Sequence, residues 1–281
     1  MTSTVFSDTQ CVLGEGIFWH PLRQSVFWFD ILSHRLYERS GETQSLWQFD
    51  RAVSAAGWVD ETRLLIASER DLFVFDLEAK AETHLVDLER DNAVTRSNDG
   101  RADPQGGFWI GTMGYNLEPE AGAIYRWYKG ELRLLFDRLT IPNAICFAPD
   151  GACAYFTDTP TKIICRVALD AEGWPIGEPV AWLDLTQEGL NPDGAVVDTA
   201  GNIWNAQWGA SRVACYDSSG VFVEAVAFPA GQISCPAFGG AAMDQLFATS
   251  AAEGVSDPMA GQVFCAPTRS TGQVEHQIQL A

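Results

Sequence analysis

Four oxygen-bearing side chains stand at one offset from four turns. Glu15 lies six residues before Pro21, Asn98 six before Pro104, Asn143 six before Pro149, and Asp193 six before Thr199. Two carboxylates and two amides brought to one point make a nest for a hard divalent cation, which prefers oxygen ligands. Each residue alone also fits a turn: Asn98-Asp99-Gly100 is turn chemistry, Glu15 sits between Gly14 and Gly16, and Asp193 follows Pro192. The shared offset favours the site, because independent turn formers need not repeat it. Arg96, two residues before Asn98 on what reads as the same loop, can reach over such a site. The four histidines (His20, His34, His84, His276) fall on expected turns or in the tail, and the cysteines are scattered, so a zinc site of His and Cys is not expected.

Bringing these residues together requires a fold that repeats. The unit is an apolar strand, a Pro/Asp/Gly turn, an aromatic strand and a third, more polar strand. It begins at GIFWHPLRQSVFWFDI (16–31), GRADPQGGFWIGTM (100–113), AICFAPDGACAYFTDT (144–159) and GAVVDTAGNIWNAQW (194–208), with weaker copies at 55–69 and 236–250. Six copies give about 47 residues per unit, the spacing of a propeller blade. No stretch shows a capped helical stripe. The expected architecture is all-β, a six-bladed β-propeller with a central metal site, in one domain over 1–281. The matching positions in units two and six are Ala55 and Ser234. The four acids and amides would stand immediately before innermost strands, facing one mouth of the central channel. Trp19, Trp109 and Trp204 are expected in the core between blades, with Trp208 kept as a candidate pocket wall. Arg101 and Arg212 are expected in surface ion pairs.

Composition narrows the classes of function. There are 281 residues, 37 acidic against 18 Lys and Arg, and a formal charge of −19. Binding to phosphate backbones needs basic patches, so nucleic acid is excluded as a partner. No apolar run reaches the roughly 20 residues of a membrane helix, and residues 1–9 lack the pattern of a secretory leader. Seven cysteines without a CxxC pair read as reduced thiols. A cytoplasmic monomer is expected.

The motifs together resemble the senescence marker protein/gluconolactonase/luciferin-regenerating-enzyme family, in its bacterial sugar-lactonase type. They are LGEG-x-x-W at 13–19, R-x-NDG-x-x-DP-x-G at 96–106, GTM at 111–113, GxxYR at 122–126, PNA-x-x-F-x-PDG at 142–151, YFTDT at 155–159, NPDG-x-x-VD at 191–198 and PAFGG at 236–240. The resemblance implies a metal-dependent hydrolysis of sugar lactones to sugar acids in carbohydrate catabolism. One divalent ion (calcium, zinc, manganese, magnesium or iron(II)) would be held by Glu15, Asn143 and Asp193. Asp193 would also act as the base, and Arg96 and Asn98 would bind substrate. Where some members carry a substrate-touching Glu after GTM, this chain has Asn116. No G-x-S-x-G elbow offers a serine nucleophile. The rival readings are a propeller aryl-esterase or phosphotriesterase and a non-catalytic metal-binding propeller.

Overall fold

The strands of the chain are short, aromatic and separated by Gly, Asp and Pro turns, which is why the polypeptide folds into hairpins. The structure, a computed structural model, describes residues 2–280. Among them, 24 strands form six sheets of four antiparallel strands. The innermost strands are Gly14–His20, Val53–Trp58, Thr95–Ala102, Pro142–Phe147, Asn191–Val197 and Ile233–Gly239, one for each of blades 1 to 6. Each packs against the next, and that of blade 6 against that of blade 1, so the ring closes. This is the expected six-bladed propeller.

Each blade has one more strand than the repeat predicted. The fourth strands, such as Thr43–Gln48 and Glu131–Leu139, are exposed along most of their length. Exposure removes the apolar alternation that marks a half-buried strand. In blade 6 the outer place is taken by Thr4–Ser7, which pairs with Val263–Pro267. The first residues of the chain thereby complete the last blade, and Phe6 packs edge-on against Phe247 at 4.9 Å.

Between blades the core is aromatic. Trp109 and Trp204 are fully buried and Trp19 nearly so, as expected. Trp28 stacks on Tyr37 with ring centroids 5.3 Å apart. Two expectations on polar residues are overturned. Arg101 is no surface residue: it is buried and bonded to Glu275 of the C-terminal segment. Arg212 donates to the buried Gln207 amide at 2.6 Å instead of pairing with a surface acid. Nor do the histidines keep to turns: His20 is buried at the end of an inner strand, and His84 lies in Ala81–Asp87.

Candidate active site

The site residues lie within the inner strands, not before them, and a register fault puts them there. Every inner strand carries a bulge near its beginning: Glu15/Phe18, Val53/Ala55, Ser97/Gly100, Asn143/Cys146, Pro192/Ala195 and Ile233/Pro236. A bulge twists the strand and re-aims the side chain beside it. Repeated around a ring, the device turns Glu15, Asn98, Asn143 and Asp193 toward a common cavity of about 350 Å³. The bulge also explains a glycine. Gly16 has φ 55°, and a Cβ there would stand 2.1 Å from the Ser54 carbonyl oxygen of the next blade. Ala144 holds the corresponding left-handed conformation in blade 4, with φ 57°, a strain of the kind found at functional positions.

The other two blades contribute no cavity-lining group at this level. Blade 2 presents Ser54 at the bulge where the repeat pointed to Ala55, and Ser54 Oγ donates to Ser97 Oγ at 2.8 Å. Ser234 Oγ donates to the Gly14 carbonyl at 2.5 Å. Both serines tie one inner strand to its neighbour.

Glu15 and Asp193 are 5% exposed. Among the described residues each accepts one hydrogen bond, from the backbone N–H of Gly16 at 3.0 Å and of Gly194 at 3.0 Å respectively. Burial and the neighbouring Asp99 carboxylate push the Glu15 carboxyl up to about 8. Asp193 is raised well above its ordinary range by burial, then by Glu15 and Asp99. Two buried carboxylates that repel each other, with no basic partner in ion-pair contact among the described residues, form an arrangement that a cation relieves. Asn143 adds a neutral oxygen. Its Oδ1 accepts from Asn98 Nδ2 at 2.9 Å and keeps a second lone pair, while its Nδ2 donates to Thr159 Oγ1 at 3.0 Å. The donor set of Glu15, Asn143 and Asp193 therefore fits a hard divalent ion. No group of three or more His, Cys, Asp and Glu side chains forms a cage among the described residues, and the third oxygen at this site comes from an amide.

Arg96 is in the inner strand of blade 3, not on a loop, and is 6% exposed. Its Nη1 donates to the Ser97 carbonyl and to Asn98 Oδ1, both at 2.9 Å. Its other guanidinium nitrogens have no protein partner among the described residues, and its side chain lines the cavity. Burial lowers its pKa, while Tyr115, Glu15 and Glu253 act in the other direction. Asn98 is thus a connector: Arg96 on one side, Asn143 on the other, and its Nδ2 also on the Pro142 carbonyl at 3.1 Å. The line continues through Thr159, whose hydroxyl donates to the Pro192 carbonyl beside Asp193 at 2.7 Å.

Trp208 forms a wall of the cavity, as its candidacy required. Asn116 stands elsewhere. It is exposed, its side-chain amide donates to Glu118 at 2.9 Å, and it borders an outer cavity together with Arg96, Tyr115 and Glu253. Three participants were missed from sequence. Asp99, buried, follows Asn98 and adds a third carboxylate to the channel. Thr159 closes the YFTDT motif, and Glu253 comes from the loop before the last strand of blade 6. The NDG and TDT motifs contain the first two; only the known geometry of the bulge could have assigned them.

Comparison with known proteins places this geometry in a family. An L-arabinolactonase of Azospirillum brasilense is 34% identical over 284 residues, covering 96% of this chain and 93% of its own. A pentonolactonase of Haloferax volcanii is 32% identical over 267 residues, covering 93% and 89%. The crystal structure of a calcium-binding protein, regucalcin, from Agrobacterium tumefaciens str. C58 superposes with a TM-score of 0.97 at 36% identity, covering 99% of this chain and 98% of that one. The family model described as SMP-30/Gluconolactonase/LRE-like region matches residues 13–252, a span that takes in Glu15, Arg96, Asn98, Asn143 and Asp193. The chain belongs to the SMP-30/gluconolactonase/LRE-like family.

Proposed function

We propose that this protein hydrolyses sugar lactones to sugar acids with one divalent cation held by Glu15, Asn143 and Asp193. The observation that carries the reading is the pair of buried, mutually repelling carboxylates at the cavity floor, in a chain whose relatives include an L-arabinolactonase and a pentonolactonase. A cavity of about 350 Å³ is of the size that takes a small ligand.

The bound cation supplies Lewis acidity toward the lactone carbonyl. Asp193 takes the proton of the attacking water on the carboxylate oxygen that Gly194 leaves free. The new C–O bond forms at the carbonyl carbon and the ring C–O bond breaks. The ring oxygen leaves with the proton that Asp193 returns, and the acid product ionises. Arg96 directs its unused N–H groups at the substrate hydroxyls and at the oxyanion as it develops. Asn98 keeps Arg96 in place and presents its Oδ1 to a hydroxyl. Asn116, at the outer cavity, meets the part of the substrate that projects from the inner one. The reaction has a neutral polyol ester as substrate, needs no macromolecular partner, and belongs to sugar breakdown in the cytoplasm by a monomer.

The test is an Asp193→Asn variant assayed by acid release from a panel of aldonolactones. Turnover is expected to fall at least about a thousandfold, in the range seen when an essential proton acceptor or an electrostatic stabiliser is removed, with the circular dichroism of the propeller unchanged. Turnover within tenfold of the parent removes Asp193 from the reaction.

A further inference from the structure

At the far ends of the inner strands, away from the cavity, the channel is crossed by the segment that follows the last strand. The Thr271 carbonyl accepts from the Thr199 N–H of blade 5 at 2.9 Å, and Gln273 Nε2 donates to the carbonyls of Phe147 and Val197 in blades 4 and 5. Ile278 N–H donates to the Trp58 carbonyl in blade 2, and the Ile278 side chain is buried against Gly57. This strap brings one acid into the channel. Glu275 Oε1 accepts from Arg101 Nη1 at 2.5 Å, with the two side chains 11% and 10% exposed. The Glu275 carbonyl is fixed as well, by Trp58 Nε1 at 2.8 Å.

Arg101 is two residues beyond Asp99 on the same inner strand, and their charges act on each other. Asp99 in turn acts on Glu15 and Asp193. The shielded charges along the channel are therefore four carboxylates, on Glu15, Asp99, Asp193 and Glu275, and two guanidiniums, on Arg96 and Arg101. With Glu15 and Asp193 ionised, as ligands of a cation must be, they leave two negative charges, the complement of one divalent cation. We propose that Glu275 is a positioning residue for the cation site: by neutralising Arg101 from below, it keeps that buried positive charge from opposing the cation above. The proposal rests on the cation-binding reading of Glu15, Asn143 and Asp193. Breaking one side of such a pair leaves an uncompensated buried charge, and in a poorly solvated channel that charge is only weakly screened.

The experiment is a calorimetric titration of the metal-stripped full-length protein with Mn²⁺ alone, alongside thermal melting. Glu275→Gln is expected to weaken Mn²⁺ binding about tenfold, Arg101→Met to tighten it about tenfold, and Arg101→Met/Glu275→Met to return the Kd to within about threefold of the parent. Opposite signs for the two single variants are the signature. A strap that merely plugs the channel lowers the melting temperature in every variant and leaves the Kd where it was, and that result overturns the proposal. Should Glu275→Gln fail to fold, Arg101→Met decides alone: tighter binding supports it, unchanged or weaker binding overturns it. A parent protein that binds no Mn²⁺ overturns the cation reading itself.

Discussion

Glu15 has more cause than most carboxylates to resist ionisation, since it is buried beside Asp99 and across the cavity from Asp193. In the metal-free folded protein it keeps its proton up to about pH 8, against 4.5 for an ordinary glutamate. The folded state then binds more protons than the unfolded one between those values. That part of the stability is present below pH 4.5 and is lost as pH rises toward 8. The metal-free protein is expected to melt at progressively lower temperature across this window, and Glu15→Gln to flatten the slope. A parent whose melting temperature holds constant or rises from pH 5 to 8 contradicts the assignment. Arg96 and Asn116 separate on the same scale. Arg96 lines the inner cavity and Asn116 only the outer, so Arg96→Met is expected to lower kcat/KM by about 10²–10³. Asn116→Ala is expected to lower it less than about threefold. The family resemblance implied substrate contact for both residues, because both sit in or after its motifs; it did not show that Asn116 turns its amide to Glu118.

At the scale of elements, the six bulges do the positioning, and they were invisible in the sequence. The repeat gave the offset common to Glu15, Asn98, Asn143 and Asp193, but an offset does not distinguish a loop from an irregular strand. The fourth strand of each blade was also hidden, because strands exposed along most of their length carry no period-2 signal. The outer strand Thr4–Ser7 is the clearest case: its partner Val263–Pro267 lies at the other end of the chain. Deleting residues 1–8 removes this strand and the Phe6 contacts with Phe247 and Trp28. The loss is expected to cost about 2–4 kcal/mol, by analogy with the truncation of a buried aromatic, and to lower the melting temperature by roughly 5–15 °C. An unchanged melting temperature would show that the ring holds without this closure. The inner and second strands were legible because they are buried on both faces, and their aromatic runs say so.

For the molecule as a whole, the charge of −19 has a local counterpart in the channel, where buried carboxylates outnumber guanidiniums. A chain that concentrates acid at the centre of a ring is stabilised by whatever cation fills it, and ligand present at about a thousand times its Kd contributes roughly 4 kcal/mol. Added divalent cation is accordingly expected to raise the melting temperature of the metal-free protein, and Glu15→Gln/Asp193→Asn to abolish that rise. Composition and repeat together were enough to specify a six-bladed propeller. The C-terminal strap across the channel was not legible: Gln273–Leu280 alternates polar and apolar residues much as a strand does, yet it joins none of the six sheets and is fixed by its own Gln273 and Gln277 amides, which donate to backbone carbonyls of Phe147, Val197 and Val59. The metal-dependent lactonase reading is tested most directly by acid release from a panel of aldonolactones by the metal-stripped protein, before and after divalent metal is restored. The predicted result is hydrolysis of at least one sugar lactone that stops on stripping and returns with the metal. No hydrolysis across the panel with metal restored, or rates indifferent to stripping, would contradict it.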